Sequence, residues 1–249
     1  MDSTPESAQA TRQENTSTQE LTLKVDFSWG KFKFLVTDQS DPKSTPIYII
    51  DYSVTKPQLV FRPGSATATP FATGTINSVS INANCKIHGR PVKLKALKRW
   101  KTEYTHLSTA YSKNKDGSPV AMTWTSSSGF KNWDFVCQDE NKMPVAQFSA
   151  NPWAFKKVAN ITYMGSSIAN GGTVSDAMRD EIAVTGLTLY ICMAVRINSP
   201  LSLVGAIIAR PGPIDNEDSK KDASTAAAAE GKNEEEEQRP KSSSKRKTT

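Results

Sequence analysis

The side chains most able to bind a ligand are seven bases between residues 86 and 101. They are Lys86, Arg90, Lys93, Lys95, Lys98, Arg99 and Lys101. Side chains alternate between the two faces of a strand, so an extended segment over 92–99 places Lys93, Lys95, Arg99 and Lys101 on one face. Such a row can bind phosphates of a lipid headgroup or of a nucleic-acid backbone. The alternative is a solvated outer face, or an edge strand that lysines protect from pairing.

A second, smaller basic patch is predicted at Lys156 and Lys157. These lysines follow Trp153 and Phe155, so the patch has an apolar tip suited to an interface. Aromatic rings among bases can also stack on unpaired nucleobases, although a protein core is the commoner place for tryptophan. A short basic run at residues 245–247 resembles a nuclear import signal.

Catalytic and metal-binding patterns are missing from the sequence. Its two histidines, His88 and His106, occur in no zinc-binding spacing, and its three cysteines, Cys85, Cys137 and Cys192, form no paired motif. Cys85 and His88 are close enough in sequence for a nucleophile pair, but nothing else supports one. We therefore expect buried thiols in a reducing compartment and no metal, no cofactor and no enzymatic activity.

The charge is concentrated in the middle of the chain. The formal net charge of +6 combines −3 over residues 1–20, +10 over 21–214 and −1 over 215–249. A folded unit that basic attracts polyanions, unless the charge is spread over the surface for solubility. Residues 1–20 are polar and residues 215–249 are charged, so we predict disorder in both segments and one domain over 21–214.

Short alternating runs predict a mainly β domain, and one segment near its end differs. The clearest predicted hairpin joins Trp133–Cys137 to Val145–Phe148 through an acidic turn. Residues 182–195 hold no charge and are apolar all round, which predicts a buried helix over about 176–197, with a central strand as the alternative. A membrane span needs about 20 residues, so no transmembrane segment is expected.

This order of many strands and then one apolar helix resembles the tubby C-terminal-like superfamily. The segment from Trp133 to Tyr163 is similar to a strand pair of that family, and Asp180–Leu187 looks like the entry to the central helix of its uncharacterised fungal members. The resemblance implies a closed antiparallel barrel of about 12 strands around a hydrophobic C-terminal helix. The superfamily is related to the scramblase and LURP-one-related barrels. Its tubby members bind phosphoinositides.

The sequence and the resemblance together predict a non-enzymatic binding module. Its expected ligand is an anionic phosphoinositide headgroup, bound through Lys93, Lys95, Arg99 and Lys101. Two alternatives are nucleic-acid binding by the same face and a scaffold that presents its disordered ends to a protein partner. The expected location is the cytoplasm, with the nucleus and the membrane periphery as further sites.

Overall fold

The fold is a closed antiparallel barrel of twelve strands with one helix among the described residues. The computed structural model describes residues 21–77, 80–98, 101–126, 133–151, 157–165 and 174–198. The predicted disordered ends lie outside these residues. The strands are β1 (Thr22–Ser28), β2 (Lys33–Asp38), β3 (Pro46–Tyr52), β4 (Leu59–Pro63), β5 (Ala72–Ile76), β6 (Ala83–Ile87), β7 (Arg90–Ala96), β8 (Glu103–Ser108), β9 (Val120–Ser126), β10 (Trp133–Gln138), β11 (Pro144–Ala150) and β12 (Lys157–Tyr163).

Each strand pairs with the next one along the chain, and the barrel closes where β1 pairs with β12. The predicted hairpin is confirmed as β10 and β11, with Phe135 opposite Phe148. After this hairpin, the described residues up to Tyr163 contribute the single strand β12. Closure leaves the described sheet without a free edge, so lysines are not needed there to block edge pairing.

Strict alternation of side chains builds the interior. In β1, Leu23, Val25 and Phe27 are buried while the residues between them are half-exposed. The same period recurs in β6 and β7, where every second residue is buried. Since a strand shows its two faces in turn, each such segment presents an apolar row to the lumen and a polar row to solvent.

The lumen is filled by the helix α1 (Asp176–Asn198), which confirms the expected buried helix and excludes the strand alternative. Ser175 caps it, since the amide of Met178 donates to the Ser175 hydroxyl at 3.3 Å. Residues 180–192 are buried at every consecutive position, which requires protein on all sides of the helix. Within the described residues, no helix has the length and apolar character that crossing a membrane demands.

The helix direction gives the barrel two distinguishable ends. Near its start, the Tyr163 hydroxyl at the end of β12 donates to the Arg179 carbonyl at 3.0 Å. Near its finish, the Cys192 thiol lies 3.9 Å from the carbonyl of Ile81, between β5 and β6. We name these the helix-entry end and the helix-exit end. Four connections lie at the exit end: β1–β2, β3–β4, β5–β6 and β7–β8. The entry end holds the connections β2–β3, β6–β7, β8–β9 and β10–β11.

Two glycines allow the helix and the barrel wall to meet closely. A Cβ on Gly74 of β5 would lie 2.4 Å from the Thr188 hydroxyl of α1. A Cβ on Gly186 of α1 would lie 3.1 Å from the Phe148 ring and 3.2 Å from the Trp124 ring. The atoms that approach Gly186 belong to aromatic side chains of β9 and β11.

We expect Gly74→Ala to destabilise the protein by about 1–3 kcal/mol, because the added methyl overpacks the contact between β5 and α1. Gly30→Ala is the matched control, since its Cβ would meet nothing within 4 Å. Urea unfolding monitored by circular dichroism measures both. Combining Gly74→Ala with Thr188→Ala should recover part of the loss. Equal stability of the two single variants would contradict the close approach.

Candidate functional site

The basic strand face lies on the outside of β6 and β7. Val92, Leu94 and Ala96 of β7 are buried, so Lys93 and Lys95 project outward between them, as predicted. Asn84 of β6 pairs with Lys93 in the register, which places the exposed Lys86 on the same outer surface. The structure therefore brings together three lysines, of which the sequence assigned two to the site. We call Lys86, Lys93 and Lys95 the lysine face.

The other two members of the predicted row do not extend this strand. β7 ends at Ala96, and the amide of Leu97 donates to the Glu103 carbonyl at 2.8 Å as the chain turns toward β8. Lys101 is exposed in that β7–β8 connection, so the expectation that it shares the strand face is wrong. Arg99 lies outside the described residues. Lys98 forms an ion pair with Glu103 at 2.6 Å, which offsets its charge.

Of the two lysines in the secondary basic patch, the structure describes Lys157. Lys157 is the exposed first residue of β12 and pairs in register with Asp26 of β1, whereas Lys156 lies outside the described residues. Trp124 is fully buried and belongs to the core, as the commoner use of tryptophan predicts. Trp100 and Trp153 also lie outside the described part of the chain.

A buried ionic cluster that the sequence did not predict fixes the helix within the barrel. The Glu181 carboxylate lies 3.2 Å from His106 Nε2 and 3.3 Å from an Arg90 guanidinium nitrogen. The side chains of Glu181 and His106 are 1% and 0% exposed, whereas that of Arg90 is 37% exposed. A carboxylate removed from water requires such partners. Because the Glu181 carboxylate and the His106 ring are buried, we interpret the cluster as an anchor for α1.

A second cluster lies at the helix-entry end and is more open. The Asp180 carboxylate accepts from the Tyr48 hydroxyl and lies 2.8 Å from His88 Nε2. Arg179 donates to the same Tyr48 hydroxyl at 3.0 Å. Burial, with the nearby Asp180 carboxylate, raises the pKa of the Tyr48 phenol. The signal in the sequence was the pair Asp180–Glu181 directly before an uncharged run, because two acids entering a core need donors.

The thiols are poorly placed for chemistry. Cys85 points into the barrel, whereas His88 lies in the next turn with its side chain 58% exposed, so the two do not form a nucleophile pair. Burial raises the pKa of Cys85 to about 12 and that of Cys192 to about 11. Burial also holds the pKa of Cys137 well above its ordinary value. The reactive thiolate is therefore scarce at neutral pH.

A surface groove of about 510 Å³ beside β1 and β2 is lined by residues that include Trp29, Leu35 and Asp26. The Asp26 carboxylate there forms an ion pair with Lys24 at 2.8 Å. Among the described residues, no three histidine, cysteine or carboxylate side chains come close enough to hold a metal ion.

Comparisons of this chain with protein-family models, with curated proteins and with solved structures find no match. The tubby-like resemblance accordingly stays a prediction. The expected architecture, a closed barrel around a hydrophobic C-terminal helix, is the part that the structure shows.

We expect Glu181→Gln to lower the free energy of unfolding by about 2–4 kcal/mol, because it removes the buried carboxylate that pairs with Arg90 and contacts His106. Asp176→Asn is the matched change on the same helix, where the carboxylate is 83% exposed and pairs with Arg179. It should cost less than about 1 kcal/mol. Chemical denaturation of both variants distinguishes an anchor from a surface pair. A similar small loss in both would refute the anchor.

Stability should also fall with rising pH above about pH 8.5, where unfolded thiols ionise. The folded state keeps its three thiols protonated, so it binds more protons than the unfolded state, and stability decreases as pH rises. Each thiol should contribute a loss of about 2 kcal/mol by pH 10. Urea unfolding between pH 7 and 10 measures the slope. A variant with all three cysteines changed to alanine should lose most of that slope, whatever its stability at pH 7.

Proposed function

We propose that this protein is a non-enzymatic binding module that recognises the phosphates of anionic membrane lipids, phosphoinositide headgroups above all. The lysine face is the proposed binding surface, and Lys101 of the β7–β8 connection is proposed as a further phosphate contact outside that face. The observation that carries the proposal is the projection of Lys86, Lys93 and Lys95 from one outer surface of two paired strands.

The spacing of these lysines suits a polyphosphorylated ligand. Residues two apart in one strand are separated by roughly 7 Å, and diagonal neighbours on paired strands by about 7–8 Å. Long, flexible lysine side chains can converge from such positions on one headgroup. Each lysine beside an anionic surface contributes about 1 kcal/mol. Three lysines thus give a useful but salt-sensitive affinity.

The neighbouring outward side chains favour an anionic ligand further. Thr73 and Thr75 of β5 and Asn84 of β6 share this outer surface, and the described strands β5, β6 and β7 contain no carboxylate. Hydroxyl and amide groups can donate to phosphate oxygens, while a nearby acid would repel them. The outward side chains of these strands therefore suit the oxygens of a phosphate.

The proposal is tested with the full chain and phosphatidylcholine vesicles, with and without a phosphatidylinositol bisphosphate, in low and moderate salt. We expect binding that depends on the phosphoinositide, is strongest in low salt and is still measurable in moderate salt. The variant Lys93→Glu/Lys95→Glu should weaken it by at least about 30-fold, because it removes two attractive charges and adds two repulsive ones. Co-sedimentation measures the effect.

The matched control is Lys113→Glu/Lys115→Glu. These two lysines are exposed in the β8–β9 connection, so their reversal changes the net charge equally without touching the lysine face. An equal loss in both variants would show that total charge, and not this surface, determines binding. Binding to duplex DNA without lipid, falling steeply with salt, would overturn the lipid proposal and indicate a nucleic-acid ligand.

A further inference from the structure

The two ends of the barrel differ in charge. The described helix-exit connections, residues 29–32, 53–58, 77, 80–82, 97–98 and 101–102, contain four lysines and no carboxylate. The lysines are Lys31, Lys56, Lys98 and Lys101. The described helix-entry connections contain four lysines and four carboxylates, Asp41, Asp116, Asp139 and Glu140. The ion pair of Lys98 with Glu103 reduces the difference in net charge between the two ends. The exit-end connections remain the more positive.

The same positive end carries large exposed apolar side chains. Trp29 and Phe32, in the β1–β2 connection, are each 56% exposed, and Val54, in the β3–β4 connection, is 87% exposed. The two connections are neighbours, because the amide of Tyr52 donates to the Phe32 carbonyl at 2.9 Å. The Trp29 and Phe32 rings both lie against the Phe27 ring, and Val54 is exposed on the neighbouring connection. We call these three exposed side chains the apolar rim.

The apolar rim is held on a firm support. The Trp29 ring meets the Phe27 ring edge-on, with centroids 4.9 Å apart, and Phe27 packs on Phe34 at 4.6 Å. Phe32 has a φ of 48°, a left-handed conformation in which a bulky residue is uncommon. Glycine or asparagine would suit that backbone better. A large exposed ring at a strained position indicates a use for the ring beyond folding.

We infer that the helix-exit end docks on an anionic bilayer, with the apolar rim inserted at headgroup depth and Lys31, Lys56 and Lys101 contacting lipid phosphates. This inference rests on the proposed function only in taking an anionic membrane as the partner. Tryptophan is enriched at membrane interfaces, where one part of its ring system is apolar and another wet. A weak apolar anchor joined to a basic patch provides the two signals that stable peripheral binding requires.

The position of the lysine face is compatible with end-on docking. β7 begins at Arg90 near the helix-entry end and ends at Ala96 near the exit end, so Lys95 lies closer to the membrane than Lys86. Lys101 lies in the β7–β8 connection at the exit end, beyond the end of the strand face. In this orientation the apolar rim inserts into the headgroup region. The lysine face then lies next to the bilayer surface and contacts headgroups that project from it.

The test uses the full chain and vesicles of phosphatidylcholine and phosphatidylserine, compared with phosphatidylcholine alone. Trp29→Ser/Phe32→Asn should weaken binding to the anionic vesicles by at least about tenfold, because the inserted apolar area is lost. Asparagine tolerates the left-handed backbone at position 32, so the variant should fold. Met143→Ser is the control, since Met143 is 58% exposed at the opposite end of the barrel. It should bind as the wild type does.

A second measurement, fluorescence quenching, reports directly whether Trp29 inserts into the bilayer. Vesicles with bromine on their acyl chains quench tryptophan emission on contact. We expect quenching of the wild type, less quenching of Trp29→Phe, and equal affinity of the two proteins because phenylalanine keeps an aromatic ring. Unchanged quenching in Trp29→Phe, or full binding by Trp29→Ser/Phe32→Asn, would overturn the inference.

The outcomes of the two proposals can be separated. Loss of binding in Lys93→Glu/Lys95→Glu alone supports headgroup recognition and overturns docking by the apolar rim. Loss in Trp29→Ser/Phe32→Asn alone supports end-on docking and removes the lysine face from the contact. Loss in both supports both surfaces. Failure of the wild type to bind any anionic vesicle overturns both proposals.

Discussion

The structure depends on one constraint, the burial of a helix that is apolar on every side. Residues 180–192 cannot leave a face toward water, so the sheet must surround them completely. Ordinary small barrels fill their interior with side chains of their own strands. Here the lumen must instead hold a helix of about 10 Å diameter. The close contacts at Gly74 and Gly186 show how tightly the wall and the helix fit.

The same constraint explains the buried charges. Asp180 and Glu181 lie where α1 enters the barrel, and each has basic or hydroxyl partners supplied by the wall. Those partners come from β3, β7 and β8 and from the turn between β6 and β7. Dispersion and the hydrophobic effect are nearly indifferent to sliding or rotation of an apolar rod, whereas ion pairs are not. The acids therefore specify the depth and rotation of the helix.

Local periodicity made much of the fold predictable. Alternation in Leu23–Phe27 and in the Trp133–Phe148 hairpin predicts strands, and the uncharged run after Glu181 predicts a buried helix. Lys93 and Lys95 were assigned correctly to one face for the same reason. The prediction for Lys101 was wrong because strand β7 stops at Ala96, and a strand end is set by the turn that follows.

Contacts between distant segments were out of reach of the sequence alone. The partners of Glu181 come from positions 90 and 106, a separation that no local pattern encodes. The clustering of Trp29, Phe32 and Val54 likewise follows from which loops share an end of the barrel, and this depends on knowing the complete strand order.

The position of α1 after all the strands has a consequence for biosynthesis. The chain leaves the ribosome with its N-terminus first, so every strand is translated before the helix that fills the lumen. β1 also waits for β12 before the wall can close. During that interval, unpaired edges and an apolar inner surface are accessible together, and such species aggregate readily. The barrel can therefore reach its closed and filled state only after its last described element has been made.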